Sequence, residues 1–196
     1  DECGLDFVLN ATASVGTGTW TLQSGPGSIV TILPNANDPD AVVSVDAYGS
    51  YVFRWTEVNG ASLCSDFDEI TVRFWESPSA SVAGSDQTLC NTSIFTMAAT
   101  PPAVGTGTWA YVSGFAGITI TNPNLATTTV TGLTAGNSVT LSWTISNGPA
   151  CAPTSSTVTL TNDIQPVADA GSGGDECDLD FVLNATASVG TGTWTL

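Results

Sequence analysis

Apolar residues recur along this chain with a period of two. Tyr51, Phe53 and Trp55 alternate with Val52, Arg54 and Thr56, and Ile70, Val72 and Phe74 alternate with Thr71 and Arg73. Trp20 and Leu22 alternate with Thr19 and Thr21, and Val139, Leu141, Trp143 and Ile145 alternate with Thr140, Ser142 and Thr144. Successive side chains of a strand face opposite sides of its sheet, so this pattern marks half-buried strands. Thr and Val suit such a pleated surface. No window repeats at the helical period of 3.6. Gly, Pro and Asn punctuate the strands, as at Gly16, Gly18, Gly25-Pro26-Gly27, Pro34-Asn35 and Gly49. Asn59-Gly60 and Asn147-Gly148 are hairpin signals, because a type I′ turn needs positive φ at both positions. Strands are predicted over 6–12, 17–23, 29–33, 41–45, 50–58 and 68–75. Further strands are predicted over 79–84, after Pro78, and 166–170, from Pro166.

The pattern repeats. Residues 1–22 and 175–196 differ only at Gly4 against Asp178, at an offset of 174. Cys3, Cys90 and Cys177 are 87 apart, as are Cys64 and Cys151. Trp55 and Trp143 are 88 apart, each shortly before an Asn-Gly pair. The period is therefore about 87 residues, and two alternating repeat types make up the near-identical unit of 174. Short strands with a core Trp in each repeat predict an all-β fold of tandem immunoglobulin-like β-sandwich domains, end to end. Residues 1–76 are expected to form one such domain lacking its first strand, 77–163 a complete one, and 164–196 the opening strands of a third, the whole being a window on a longer array. The connections at 76–79 and 162–166 are short, which predicts stiff links rather than flexible ones.

Cys90, Gly105-Thr106-Gly107-Thr108-Trp109, Ser113-Gly114, Val130-Thr131-Gly132-Leu133, Trp143-Thr144, Asn147-Gly148 and Cys151 form a string that resembles the immunoglobulin-like or PKD-like tandem repeats of large Bacteroidota cell-surface proteins. The first repeat departs from it at Val45-Asp46-Ala47, where the Gly-Leu is missing. The resemblance implies a cell-surface stalk or adhesin of the type IX-exported, gliding-associated class, and it specifies no ligand.

Composition narrows the chemistry. Two basic residues, Arg54 and Arg73, face 18 acidic ones, for a formal charge of -16. That charge repels phosphate backbones, which excludes nucleic acid and anionic membranes as partners. No apolar run approaches the ~18 residues of a membrane span. There is no His and no Lys, so histidine bases, histidine metal ligands and lysine crosslinks are ruled out.

Five cysteines in such a chain point to disulfides in an oxidising compartment. Three pairing schemes repeat along the array: Cys3–Cys64 with Cys90–Cys151, Cys64–Cys90 with Cys151–Cys177, and Cys3–Cys151. Cys3 and Cys90 precede the strands at 6–12 and its counterpart, whereas Cys64 and Cys151 follow the strands at 50–58 and its counterpart. These positions lie at opposite ends of a sandwich. A strand of 8 residues spans about 25 Å, and a disulfide needs Cα atoms within ~7 Å. Cys3–Cys151, a staple across the junction, therefore ranks ahead of the intradomain pair, and the 26-spaced pairs rank last.

Ser65-Asp66-Phe67-Asp68-Glu69 is expected in a loop, where Asp66, Asp68 and Glu69 form a candidate calcium site. The alternative is a solvated acidic surface. No other cofactor is expected. Trp20, Trp55, Trp109, Trp143 and Trp194 recur at strand positions and are expected in cores, while Trp75 has no counterpart and is expected at the junction. Asn10, Asn91 and Asn184 stand in glycosylation sequons. No constellation of acid, base and nucleophile is visible. The expected role is that of a non-catalytic structural repeat in an extracellular stalk or filament on a cell surface, with neighbouring identical repeats or subunits as partners. Two alternatives stand beside it: a module binding surface glycans or a host protein, and a filament subunit polymerised by strand donation.

Overall fold

The computed structural model describes residues 1–27, 30–60 and 64–195. The predicted strand at 29–33 and the turn after Gly60 therefore fall partly outside the described residues. The described chain holds sixteen strands and no helix. The first repeat contributes β1 (Glu2–Cys3), β2 (Asp6–Val8), β3 (Thr17–Ser24), β4 (Val30–Leu33), β5 (Val42–Val45), β6 (Gly49–Asn59) and β7 (Cys64–Trp75). The second contributes β8 (Gln87–Cys90), β9 (Ile94–Thr96), β10 (Thr106–Gly114), β11 (Thr119–Ile120), β12 (Thr129–Thr131), β13 (Asn137–Ser146) and β14 (Thr154–Asp163). β15 (Ala168–Asp169) and β16 (Thr186–Ala187) form a two-stranded hairpin.

The two repeats share one topology. Sheets β1-β7-β6-β3 and β2-β5-β4 in the first correspond to β8-β14-β13-β10 and β9-β12-β11 in the second. Each repeat is thus a four-plus-three immunoglobulin-like sandwich, closed at one edge by a short strand running parallel to the last. That edge strand is β1 or β8. Residues 79–84, expected as the first strand of the second repeat, form no strand. In the first repeat β1 takes the place that β8 has in the second.

The chain divides into two compact units. One comprises Asp1–Ser81 with Pro101–Gly107 and Thr144–Ser155, and the other comprises Val82–Thr100, Thr108–Trp143 and Ser156–Leu196. The first unit is therefore built from the whole first repeat plus three stretches, 77–81, 101–107 and 144–155, that belong by sequence to the second.

In the first unit the inward faces of the strands bury Trp20, Val43, Tyr51, Phe53, Trp55, Val72 and Phe74 around Leu9. β6 shows the period-two logic directly, with Tyr51, Phe53 and Trp55 inside and Val52, Arg54 and Thr56 half-exposed. Trp20 and Trp55 meet at 5.2 Å, and Tyr51 packs edge-on to Phe74 at 5.4 Å. The Gly-Thr-Gly-Thr-Trp motif gains a physical reason here: a Cβ on Gly18 would occupy the Trp55 ring. In the second unit Trp109 and Trp143 repeat the pair at 5.1 Å. The register equates Phe74 with Asn162, which is buried and satisfied. Its amide donates to Thr92 O (2.8 Å) and Leu133 O (2.7 Å) and accepts from Thr92 N (3.0 Å).

The predicted core tryptophans Trp20, Trp55, Trp109 and Trp143 are buried, but Trp194 is 52% exposed. Trp194 is a correction with a simple cause. Trp20 has β6 beside it, whereas residues 191–195 pair with no strand among the described residues. The two Asn-Gly turns also differ from type I′, since Gly60 and Gly148 take positive φ while Asn59 and Asn147 do not.

Candidate functional site

The feature that most departs from an isolated sandwich lies in the first unit, where β7 ends. β1 pairs in parallel there, with Glu2 opposite Phe74 and Cys3 opposite Trp75, and Gly4 N donates to Trp75 O at 3.0 Å. This pins Cys3 to the end of β7. Cys3 is bonded to Cys151 across 148 residues of sequence, with Cα atoms 4.8 Å apart.

Hydrogen bonds surround the bridge. Asn147 Nδ2 donates to Glu76 O (2.7 Å) and Thr154 Oγ1 to Ser79 O (2.6 Å). Ser79 N donates to Val104 O (3.1 Å), and Ser79 Oγ accepts from Ala103 N (3.1 Å) and Val104 N (2.8 Å). Gly148, at φ 70°, lies against the Trp75 ring so closely that a Cβ would overlap it. The Arg73 guanidinium covers Trp75 at 3.7 Å, a cation–π contact. Among the described residues Trp75 N–H is buried without a hydrogen-bond partner, which costs about 1–3 kcal/mol. Trp75 thus contacts the Asn147–Cys151 turn within this unit. The sequence marked Cys3, Cys151 and Trp75, and Asn147-Gly148 as a turn, but not Thr154 or Ser79. The recurring Asn-Gly pair was the available signal, and it reads locally as nothing more than a turn.

The other cysteines are not in the bridge. Cys64 opens β7 and lies eleven residues of strand from Trp75, roughly 36 Å at the strand rise, so it does not reach Cys3. Cys90 and Cys177 are exposed thiols.

Asp66, Asp68 and Glu69 lie within β7 and not in a loop. Their alternation puts Asp66 and Asp68 on one face of the strand and Glu69 on the other. Glu69 is opposite Arg54 and pairs with it at 2.6 Å, with Arg54 also 4.0 Å over Phe67. Among the described residues no three Asp, Glu or Cys are grouped to hold a metal ion.

A different carboxylate is organised. Glu57, near the end of β6, accepts from Ser14 N (2.9 Å), from the Ser14 hydroxyl and from Trp55 Nε1 (3.1 Å). The Ser14 hydroxyl first, then the Trp55 N–H and the Ser14 amide, hold its pKa down from 4.5 to about 2. The group is a clasp for the Ser14–Val15 loop. Asn10, Asn91 and Asn184 are exposed. In the second unit a cavity of about 590 Å³ lies between Pro166 and Trp194, with Trp194 in its wall.

No protein-family model matches the chain, and no curated protein does. Solved structures of tandem immunoglobulin domains are similar to it. The I-band fragment I67–I69 of titin is 12% identical, with a TM-score of 0.44, over 85% of this chain and 63% of that one. The extracellular domains 3–5 of Drosophila OTK are 10% identical, with a TM-score of 0.49, over 74% and 51%. Sidekick-1 immunoglobulin domains 1–5 are 14% identical, with a TM-score of 0.40, over 95% and 44%. The chain spans less than two thirds of each of these structures.

Proposed function

We infer that this chain is a non-catalytic structural repeat of an extracellular stalk or filament on a bacterial cell surface. The observation that carries this reading is the Cys3–Cys151 bond, which ties the first repeat to a turn belonging by sequence to the second. A bond of that kind gives covalent continuity between successive repeats. Three further facts support it. The two-repeat unit recurs at 174 with one difference in 22 positions, where a specific receptor site needs no such copying. Among the described residues Asp66 and Asp68 lie on one face of β7 and Glu69, paired with Arg54, on the other, so these carboxylates do not converge. A structural disulfide belongs to an oxidising compartment, which fits export to the surface.

The binding-module reading has one observation in its favour, the half-exposed Trp194 in the wall of its cavity. Aromatic rings serve as platforms for sugars, but the sequence duplicate of this residue, Trp20, is a core residue. Immunogold electron microscopy with an antibody against the repeat tests the role. Label at regular intervals along a surface filament is expected. Label confined to a filament tip, or inside the cell, would overturn the stalk reading and favour a ligand-binding module.

A further inference from the structure

The dipeptide Asn-Gly occurs twice in the chain, and both copies lie in the first unit. Their glycines have the same conformation, with φ 66° at Gly60 and 70° at Gly148. Their surroundings differ. That difference matters because the pair is chemically labile. The backbone nitrogen of glycine attacks the side-chain amide carbon of asparagine, and no Cβ obstructs its approach. A new N–C bond closes a five-membered succinimide, the bond from Cγ to Nδ2 breaks, and ammonia leaves with the proton of the glycine amide. Water then opens the ring at either carbonyl. The products are aspartate and isoaspartate, in which the main chain runs through the side-chain carbon. The rate depends on how often the asparagine amide reaches the glycine nitrogen, so a geometry that holds them apart slows it steeply.

Asn147-Gly148 is held on three sides. Asn147 Nδ2, the leaving nitrogen, donates to Glu76 O at 2.7 Å. Gly148 lies against the Trp75 ring, where an added Cβ would stand 2.2 Å from Cδ2. Cys151, three residues on, is 5% exposed and bonded to Cys3. Trp75 is fixed in turn, by Arg73 at 3.7 Å over its ring and by Cys3 opposite it in the ladder. A swing of the Asn147 amide toward Gly148 N has to break the bond to Glu76 O. Conversion here would also be destructive, since a carboxylate has no proton to donate and would set an anionic oxygen against that carbonyl.

Asn59-Gly60 lacks such a clamp. Asn59 is exposed at the end of β6, and Gly60 beyond it is exposed as well. Among the described residues no side-chain hydrogen bond restrains Asn59, and nothing stands within 4 Å of the place a Cβ on Gly60 would take. We propose that Asn59-Gly60 is a site of spontaneous conversion to aspartate and isoaspartate, and that the clamp of Trp75, Glu76 and the Cys3–Cys151 bond protects Asn147-Gly148 from the same reaction. Each conversion at Asn59 adds one negative charge to a chain already at -16. Two turns with the same dipeptide thus age at different rates, and the turn beside the bridge is the one that lasts.

The test uses the whole chain with the Cys3–Cys151 bond formed, kept in mildly alkaline buffer and sampled over weeks. Peptides from each sample are read by mass spectrometry, and isoaspartate is marked by enzymatic methylation. Asn59 is expected to convert within a few-fold of the rate of a short synthetic Asn-Gly peptide, and Asn147 at least tenfold more slowly. In urea, with the bond reduced, the two rates converge. Cys3→Ser and Trp75→Ala, each checked for folding by amide exchange in the second unit, quicken Asn147 several-fold and leave Asn59 unchanged. Asn59→Gln removes the early product. Equal rates in the folded chain, or a folded chain in which Asn59 is as slow as Asn147, would overturn the proposal. A difference that persists in urea would do so too, because it would belong to the sequence and not to the fold. So would a folded, loosened variant in which Asn147 stays as slow as before.

Discussion

Residues 1–22 and 175–195 are nearly the same sequence in two different environments. In the first copy Leu9 and Trp20 are buried, and Thr17–Ser24 forms a strand paired with β6 from Thr17↔Val58 to Ser24↔Val52. In the second copy Phe181, Leu183 and Trp194 are 44%, 55% and 52% exposed. There Thr186–Ala187 pairs briefly with Ala168–Asp169. The lesson is that the Gly-Thr-Gly-Thr-Trp segment carries the pattern of a strand but not the strand itself. A strand draws its stability from cross-strand neighbours and burial, so its propensity is a property of the sheet. Among the described residues the first copy has β5, β6 and β7 beside it, and the second has β15.

Matched substitutions turn this contrast into measurements. The largest expected difference is between Leu9→Ala and Leu183→Ala. The first opens a cavity in a closed core and costs about 2–5 kcal/mol. The second touches an exposed side chain and stays within about 0.5 kcal/mol. Urea denaturation of both variants checks the pair, and equal losses would mean that the second copy is packed as the first is. Next comes Cys3→Ser. Cys3 is tied to Cys151, while its counterpart Cys177 is a free thiol. Closing a loop of this length is worth up to about 5 kcal/mol by chain entropy, with about 2–4 typical of measured bridges. Cys3→Ser should therefore lower the denaturation midpoint strongly and Cys177→Ser hardly at all.

The smallest effect is the Glu57 clasp. It holds Ser14 and Val15, whereas Ser188 instead accepts from Val167 N at 2.7 Å. The folded pKa of Glu57 lies near 2, below its ordinary 4.5. Its contribution is therefore complete above the unfolded value and is lost as pH falls from about 4.5 through about 2. Amide exchange at Ser14 and Val15, corrected for intrinsic rates, should accelerate over that window while Ser188 and Val189 do not change. Glu57→Gln should bring the faster exchange already at neutral pH.

The sandwich was legible wherever one face of a strand is buried and the other wet. That holds for β6 and β13, whose alternation fixes both the element and its inward side. It fails at the start of β7, where Cys64 to Glu69 are exposed throughout. With neither face buried, no alternation shows, and Asp66, Asp68 and Glu69 read as a loop. Pairing with β6 holds them in the sheet. β1 and β8 were hidden for another reason: strands of two and four residues are too short to show a period. The Cys3–Cys151 pairing could be ranked because strand length separates the two ends of a sandwich by far more than a disulfide spans. The side chains around it could not be named, since Asn147 and Thr154 act on carbonyls at Glu76 and Ser79, more than 70 residues away.

The parallel edge strands have a mechanical consequence. Tension along the polypeptide pulls the start of β8 one way and the end of β14 the other, along their common axis. Four facing residue pairs, Gln87↔Leu160 to Cys90↔Asp163, are then loaded in shear and must yield together. An antiparallel hairpin pulled at its open end would instead unzip one pair at a time. β1 faces β7 in the same parallel sense, with Glu2 opposite Phe74 and Cys3 opposite Trp75. It is also the edge where Cys3 hands the load to a covalent bond.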